Sequence, residues 1–430
     1  MRYRTALPLR LALCGLWALA GLAQAQSPTA DTSPRLDAEG LVRQVLSSHP
    51  GLEALEQALQ AAQWRVGPAA ALDDPILNYA FAPASIGVAG LDTGQVIGLS
   101  QPLPWPGKRR LRRELAEHMA SSAEAAWLEA QREAAFQARS LYAQWANLHS
   151  AWQTNQAQQQ LLQALLSSSQ AHYGSGQAAQ QSLLEVELRL VQRQQEALHL
   201  RAAREAVLGR INALRNRPPS TPLGLPAAWS ELPALPPLQH WLDAAQKAAG
   251  PVQELQAKLA AAQSRLQLAE REDWPDLRLN AQWLGTMPRE ENRAQVGIAL
   301  NLPFGRDKRR DAQSAARAEA QALRHQLAAV QAGIAAELAA AYAEAQAAED
   351  SMSLYLERLL PLAEQSLKAA QAEYVAAQGP LRALIDAEDN LLKARLGLDQ
   401  ARRDAVQSRA RLAWFSGQSL PTPLHGDKHE

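Results

Sequence analysis

The chain has 430 residues, with 43 basic and 43 acidic side chains, no net charge and only 5% aromatic residues. Ala, Leu and Gln fill long tracts with little Gly or Pro, a composition of long packed helices more than of compact globules. Zero net charge argues against broad electrostatic binding to nucleic acid. Beyond the N-terminus no run of 18 apolar residues occurs, so no conventional membrane-spanning helix is expected.

Residues 1–25 read as an export signal. Arg2, Arg4 and Arg10 precede the apolar stretch Leu11 to Leu22, and Ala23-Gln24-Ala25 offers the small residues a signal peptidase reads, which places cleavage before Gln26. Removing three of the 43 basic residues and none of the 43 acidic ones leaves a mature charge of −3. The only cysteine, Cys14, leaves with the signal; Leu13 stands before it, where a lipidation motif needs a small residue. A mature chain without thiols has no disulfide and no thiolate for catalysis or soft-metal binding.

The remainder reads as a duplication. Pro50 and Pro75 in the first half correspond to Pro251 and Pro275 in the second. Leu103-Pro104-Trp105 corresponds to Leu302-Pro303-Phe304, and Lys108-Arg109-Arg110 to Lys308-Arg309-Arg310. Each half then runs through a long helical tract to Tyr173 or Tyr374, and Leu183-Leu184-Glu185 matches Leu384-Ile385-Asp386. Residues 217–237 carry seven prolines and read as an extended linker between repeats 26–216 and 238–416, with 417–430 as a tail.

Four short segments alternate with period two. Leu77, Tyr79 and Phe81 alternate with Asn78 and Ala80, Ile97 and Leu99 with Gly98 and Ser100. Leu277, Leu279, Ala281 and Trp283 alternate with Arg278, Asn280 and Gln282, and Val296, Ile298, Leu300 and Leu302 with Gly297, Ala299 and Asn301. Each is expected to span about 9–11 residues, the length of a tilted strand crossing an outer membrane. Two amphipathic hairpins packed on a soluble core would show the same alternation, but neither further strands nor a large aliphatic core is in evidence. Four strands cannot close a channel-sized barrel, and bare strand edges are not tolerated in lipid, so several chains must pool their strands.

Helices are expected over 41–66, 111–173, 178–216, 238–272, 311–376 and 380–416. The tract 111–173 lacks Pro and Gly and would be about 95 Å long. The tract 311–376 is expected to bend near Pro361. Leu323, Leu327, Val330, Ile334, Leu338, Ala341 and Ala345 follow nearly the 3.5-residue repeat of a coiled-coil seam, as do Leu141, Trp145, Leu148 and Trp152. The shorter helices fit end to end along each long one, with the hairpins at one end and the turns at Gly174-Ser175-Gly176 and Gln378-Gly379-Pro380 at the other.

The duplicated order, the strand exit from Ser100 to Arg109, the Leu-Leu-Glu and Leu-Ile-Asp motifs and the stretch Leu360 to Gln365 resemble the TolC-like outer-membrane factors of bacterial efflux and secretion systems. Pro104-Trp105-Pro106-Gly107-Lys108-Arg109 looks most like the heavy-metal cation efflux branch. The resemblance implies a mainly α fold with a small membrane β part: a homotrimer with a helical barrel and a twelve-stranded β-barrel in the outer membrane, extending into the periplasm. It also implies docking on a periplasmic adaptor and an inner-membrane pump of the resistance-nodulation-division type. Drug efflux and type I polypeptide secretion fit the same fold, and a periplasmic coiled-coil structural protein is the alternative of another class.

No constellation for catalysis, cofactor or metal stands out: no HExxH, no phosphate loop and no nucleophile elbow occur. The resemblance places acidic rings on the helix after the second distal turn, which makes Asp386 the first gate candidate, with Glu388, Asp389 and Glu185 beside it; such acids also simply favour a helix N-terminus. Gly174, Ser175, Gly176, Gln378, Gly379 and Pro380 are the candidate adaptor contacts. Tyr79, Phe81, Trp105, Trp283 and Phe304 fit an aromatic girdle at the membrane interface, with outer-membrane lipid as a partner. The basic triplets after the strands read either as lipid-facing or as a solvated charge cluster.

Overall fold

The computed structural model describes residues 35–83, 94–174, 180–285, 293–376 and 378–418. The described residues belong to the compact unit Arg35–Glu430. Helix α1 (Ala38–Ser48) is capped by Asp37, whose carboxylate accepts from the Gly40 amide at 2.8 Å. The single helix expected over 41–66 is broken: α2 (Pro50–Trp64) starts afresh at Pro50, whose missing N–H cannot continue α1, and α3 (Val66–Ala70) follows. Strands β1 (Ile76–Ala82) and β2 (Gly94–Leu103) lead into α4 (Lys108–Gly174), a continuous helix of 67 residues, and then α5 (Gln180–Leu214).

The second half repeats the order. The helix expected over 238–272 is also two helices, α6 (Leu238–Ala248) and α7 (Gly250–Arg271), for the same reason, with Pro251 in the first turn. Strands β3 (Leu277–Leu284) and β4 (Ala294–Leu300) lead into α8 (Arg306–Leu354). A π-helical turn at Tyr355–Leu359 joins α8 to α9 (Leu360–Val375), and α10 (Leu381–Ser416) completes the chain. The bend expected at Pro361 takes the form of this widened turn. In a regular α-helix the proline ring would collide with the carbonyl of Glu357, four residues back, and the π turn moves that carbonyl aside. The Tyr355 ring lies so close to Gly397 of α10 that a Cβ there would meet its hydroxyl at 2.4 Å.

The four strands form one antiparallel sheet in the order β1-β2-β3-β4. They run 7 to 10 residues, shorter at the low end than the sequence suggests. Leu77 pairs with Leu99, Leu99 with Ala281 and Ala281 with Val296, so the alternating apolar residues share one face, while Ile76, Val96 and Leu284 lie on the other. Val296 is 85% exposed and Leu77 71%, so nothing among the described residues covers the first face. The opposite face carries Asn78, Gly98, Asn280, Gln282 and Gly297, with Gln282 donating to Gln295 at 2.9 Å. The outer edges of β1 and β4 have no strand partner among the described residues.

Helix packing follows the seams. Leu41, Val42 and Val45 of α1 and Leu52 of α2 pack on Ala138, Tyr142 and Trp145 of α4 and on Val207 and Ile211 of α5. The equivalent cluster in the second half joins Trp241 and Val252 to Ile334, Leu338, Ala341 and Ala345 of α8 and Leu412 of α10. Alanine recurs among the buried residues of α4, α8 and α10, where helix axes approach closely.

Glu129 of α4 lies inside the helix pack. Its Oε1 accepts from Trp414 Nε1 at 2.7 Å, while Oε2 is buried without a partner. Burial pushes its carboxyl above the ordinary range, opposed by the Trp414 hydrogen bond and Arg132 and reinforced by Glu133 and Glu254. A carboxyl raised in the folded state contributes stability that is full below its unfolded value and is lost as pH rises through the folded value. Glu129→Gln therefore removes this loss: melting curves between acidic and neutral pH should show the native chain falling behind the variant as pH rises. A difference constant across that range would refute the assignment.

Candidate functional site

At the strand–helix junction, the chain turns from β2 into α4 through Gly107, whose φ of +96° favours glycine. Lys108, the first residue of α4, is fully buried. Its ammonium lies 2.9 Å from Asp276 and 3.3 Å from Glu272 and donates to the Trp274 carbonyl at 3.2 Å. Asp276 also accepts from the Trp105 amide at 2.8 Å, and the Trp105 and Trp274 rings stack at 5.3 Å. This corrects both readings of the first basic triplet for Lys108: it is neither solvated nor free to face lipid, because the segment between α7 and β3 supplies its counter-charges. Arg109 donates twice to the Ala70 carbonyl, at 2.9 and 2.7 Å, and Arg110 pairs with Glu114.

The second junction differs. Lys308 is exposed, Arg310 pairs only loosely with Asp307 and Asp311, and Arg309 donates to the Pro303 carbonyl at 2.6 Å. Phe304 is 84% exposed where its counterpart Trp105 is stacked and half-buried. Tyr79, Phe81 and Trp283 lie exposed on the apolar face of the sheet.

At the other end of the long helices, Leu162 of α4, Val186 and Leu190 of α5 and Ile385 of α10 form a small core. Arg189 of α5 forms an ion pair with Asp389 and reaches Asp386 at 3.7 Å, and Arg382 lies 3.8 Å from Asp386. Glu388 accepts from Gln158 of α4 at 3.3 Å, and Glu185 lies half-buried on α5. The structure thus brings Asp386, Asp389 and Arg189 together and sets Glu388 against α4. Arg189 went unnoticed in the sequence; its signal is a lone cation one helical turn after Glu185, on the helix that follows the first distal turn. Gly174 ends α4, while Ser175 and Gly176 lie outside the described residues. In the second turn the Glu373 carbonyl accepts from the amides of Gln378 and Gly379 at 2.9 and 3.1 Å, and Pro380 precedes α10.

Along α5, the apolar residues Leu184, Leu188, Val191 and Leu198 are exposed at coiled-coil spacing, and Leu359 and Leu362 are exposed where the π turn meets α9. No helix among the described residues is long and apolar enough to cross a membrane. Among the described residues no group of three or more His, Cys, Asp or Glu could hold a metal ion.

Residues 241–418 match the family described as outer membrane efflux protein. No curated protein matches the chain. Among solved structures, the outer membrane protein VceC from Vibrio cholerae is similar at 18% identity and a TM-score of 0.72, over 89% of this chain and 96% of its own. The outer-membrane channel OprN is similar at 18% identity and a TM-score of 0.74, over 89% and 90%. CusC, described for its transmembrane channel formation, is similar at 14% identity and a TM-score of 0.74, over 90% and 93%. The fold is thus similar to that of solved outer-membrane channels, and part of the chain matches a family of outer membrane efflux proteins. The match lies in the second repeat, while the likeness of fold extends through both.

Lys108 holds the helical part to the sheet. Lys108→Met removes its charge-assisted bonds to carboxylates that water still partly reaches, and should lower stability by about 1–3 kcal/mol. Arg110→Met, which breaks an exposed pair, should cost no more than about 0.5 kcal/mol. Thermal unfolding in detergent compares the two, and equal shifts would contradict the role given to Lys108.

Proposed function

We propose that the chain is the passive exit duct of a tripartite efflux pump. In this reading three copies pool their sheets into one twelve-stranded barrel, and their helices form the tunnel that meets a periplasmic adaptor and an inner-membrane resistance-nodulation-division pump. The observation that carries the reading is the sheet: four strands with one uncovered apolar face and two open edges. Such a sheet is satisfied only by lipid on that face and by further strands on both edges. The exposed apolar seam of α5 supports the same assembly, because it needs another helix to cover it. A soluble periplasmic rod has no use for either surface.

The cargo in this reading is a heavy-metal cation, on the strength of the motif from Pro104 to Arg109. Selectivity then lies in the pump, since among the described residues no group of three or more His, Cys, Asp or Glu could hold a metal ion. Deleting the gene should sensitise cells to divalent or monovalent heavy metals and leave drug tolerance largely unchanged; the opposite spectrum would reassign the cargo and keep the duct.

Asp386 is the proposed constriction. A ring symmetric about the axis repeats it in each copy, and a ring of carboxylates attracts cations and binds divalent ions in passing. Arg189 and Arg382 hold the carboxylate in place, and Arg189 ties α5 to α10. In planar bilayers, Asp386→Ala should weaken divalent-ion block and cation preference, and Arg189→Ala should raise the resting current by freeing α5 from α10. Currents unchanged in both variants would remove the gate from these residues.

The distal turns are the proposed adaptor contacts. Gln378 is exposed, and its amide bond to Glu373 does not depend on its side chain. Gln378→Trp should abolish resistance while assembled channels still reach the outer membrane, as seen on unheated gels; full resistance would place the contact elsewhere.

A further inference from the structure

The Lys108 clamp has an unfilled twin. Inside the chain, the junction from β2 into α4 meets the junction from α7 into β3, and the two are locked by Lys108 on Asp276 and Glu272 and by Trp105 on Trp274. By the internal repeat, the junction from β4 into α8 corresponds to the first of these, and the junction from α3 into β1 to the second. Lys308 stands for Lys108, Phe304 for Trp105, and Asp73-Asp74-Pro75 for Asp273-Trp274-Pro275. These two junctions sit at opposite outer strands of the sheet, so they cannot meet within one copy.

Each is left unsatisfied in a complementary way. On the β4 side, Arg306 and Lys308 are exposed and make no ion pair with any described residue, and Phe304 stands clear. On the β1 side, Asp73 and Asp74 are exposed without an ion pair among the described residues, beside the exposed Leu72. Two unpaired cations and an aromatic ring on one edge face two unpaired carboxylates and a leucine on the other. Side-chain ties within each hairpin are already in place: Gln101 donates to the Asp73 carbonyl at 2.7 Å, and Asn301 accepts from the Asp276 amide at 2.5 Å. The tie between hairpins is made within the chain at the junction of Lys108 and Trp105 with Trp274 and Asp276; its counterpart at the outer strands has no partner among the described residues.

We infer that Lys308 of one copy is clamped by the Asp73-Asp74 pair of the next, with Phe304 seated on Leu72, at every seam between copies. The contact takes the place of the Lys108 lock with its acids shifted, since Leu72 and Ile76 stand where Glu272 and Asp276 hold Lys108, and Asp74 where Trp274 stacks. The inference rests on the reading that separate copies close one barrel, and adds to it the residues that select the partner edge. A strand edge alone specifies register weakly, since any shift of two residues keeps Leu77, Tyr79 and Phe81 on the same face as Val296, Ile298 and Leu300. A charge pair and a ring at the foot of the strands admit one alignment and reject a β1 edge meeting another β1 edge, where like charges would be opposed.

The test uses the full chain expressed in outer membranes, with Cys14 replaced so that introduced thiols are the only ones. Lys308→Cys combined with Asp74→Cys is treated with a short bifunctional maleimide, because a lysine–aspartate pair sets its Cα atoms farther apart than a disulfide spans. The expected result is a ladder ending at three chains on denaturing gels, absent from either single variant. Charge reversal supplies the second arm: Lys308→Glu should lower the assembled fraction severalfold on unheated gels, and adding Asp73→Lys and Asp74→Lys should restore it. Assembled channels without crosslinking or without rescue would overturn the clamp and leave the shared barrel standing. A native chain that runs as a monomer in detergent would overturn both.

Discussion

Backbone hydrogen bonding in lipid is the constraint on which the rest depends. Every amide and carbonyl of a strand in hydrocarbon needs a partner, and a sheet of four strands leaves two rows without one. Among the described residues no proline, charge or covering helix hides these edges, the devices soluble proteins use. It also leaves the apolar face of the sheet bare while its helices pack their own seams closely. One polypeptide therefore holds two incompatible surfaces, each of which fits a different surrounding: lipid for the strands, water and other helices for the rest. The proposed outer-membrane conduit would reconcile them.

Between the two regions lies a dense polar knot, and its placement follows from the same constraint. In the proposed assembly strands end and helices begin where the bilayer gives way to water, so the junction is where a buried charge would be least costly and most useful. Lys108 draws on two carboxylates and a carbonyl from the other repeat, which fixes α4 to α7 and β2 to β3 in a single contact. The duplicated halves thus do not merely stand side by side. They interlock at the foot of the sheet, and Gly107 supplies the backbone turn that brings the lysine inward.

Much of this was legible in the residues. Period-two alternation located the four strands, and the absence of Pro and Gly located α4, because both signals arise from local geometry. The apolar seam of α8 appeared in its spacing and is buried from Ile334 to Ala345. Prolines were read as landmarks of the repeat, yet Pro50 and Pro251 also divide helices, an effect that depends on a missing hydrogen bond and not on hydrophobic pattern. Asp386 and Asp389 stood out as acids after a turn, but their cation, Arg189, lies some two hundred residues away in sequence and only packing brings it near. Lys108 was misjudged for the same reason. A basic triplet after a strand reads as surface, and nothing nearby in sequence reveals that Asp276 will arrive beside it.

The π turn at Tyr355–Leu359 sets how the second rod can deform. Its neighbours α8 and α9 are regular helices, and stiffness along a hydrogen-bonded helix is lost first where the ladder is already widened. The Tyr355 ring rests in the notch that Gly397 leaves in α10, so this one level is both the softest point of the rod and a fitted joint against its companion. The first repeat has no such joint: α4 passes the same region as an unbroken helix. Each chain therefore joins one unbroken helix to one articulated one, and in the proposed assembly bending would fall on the articulated members.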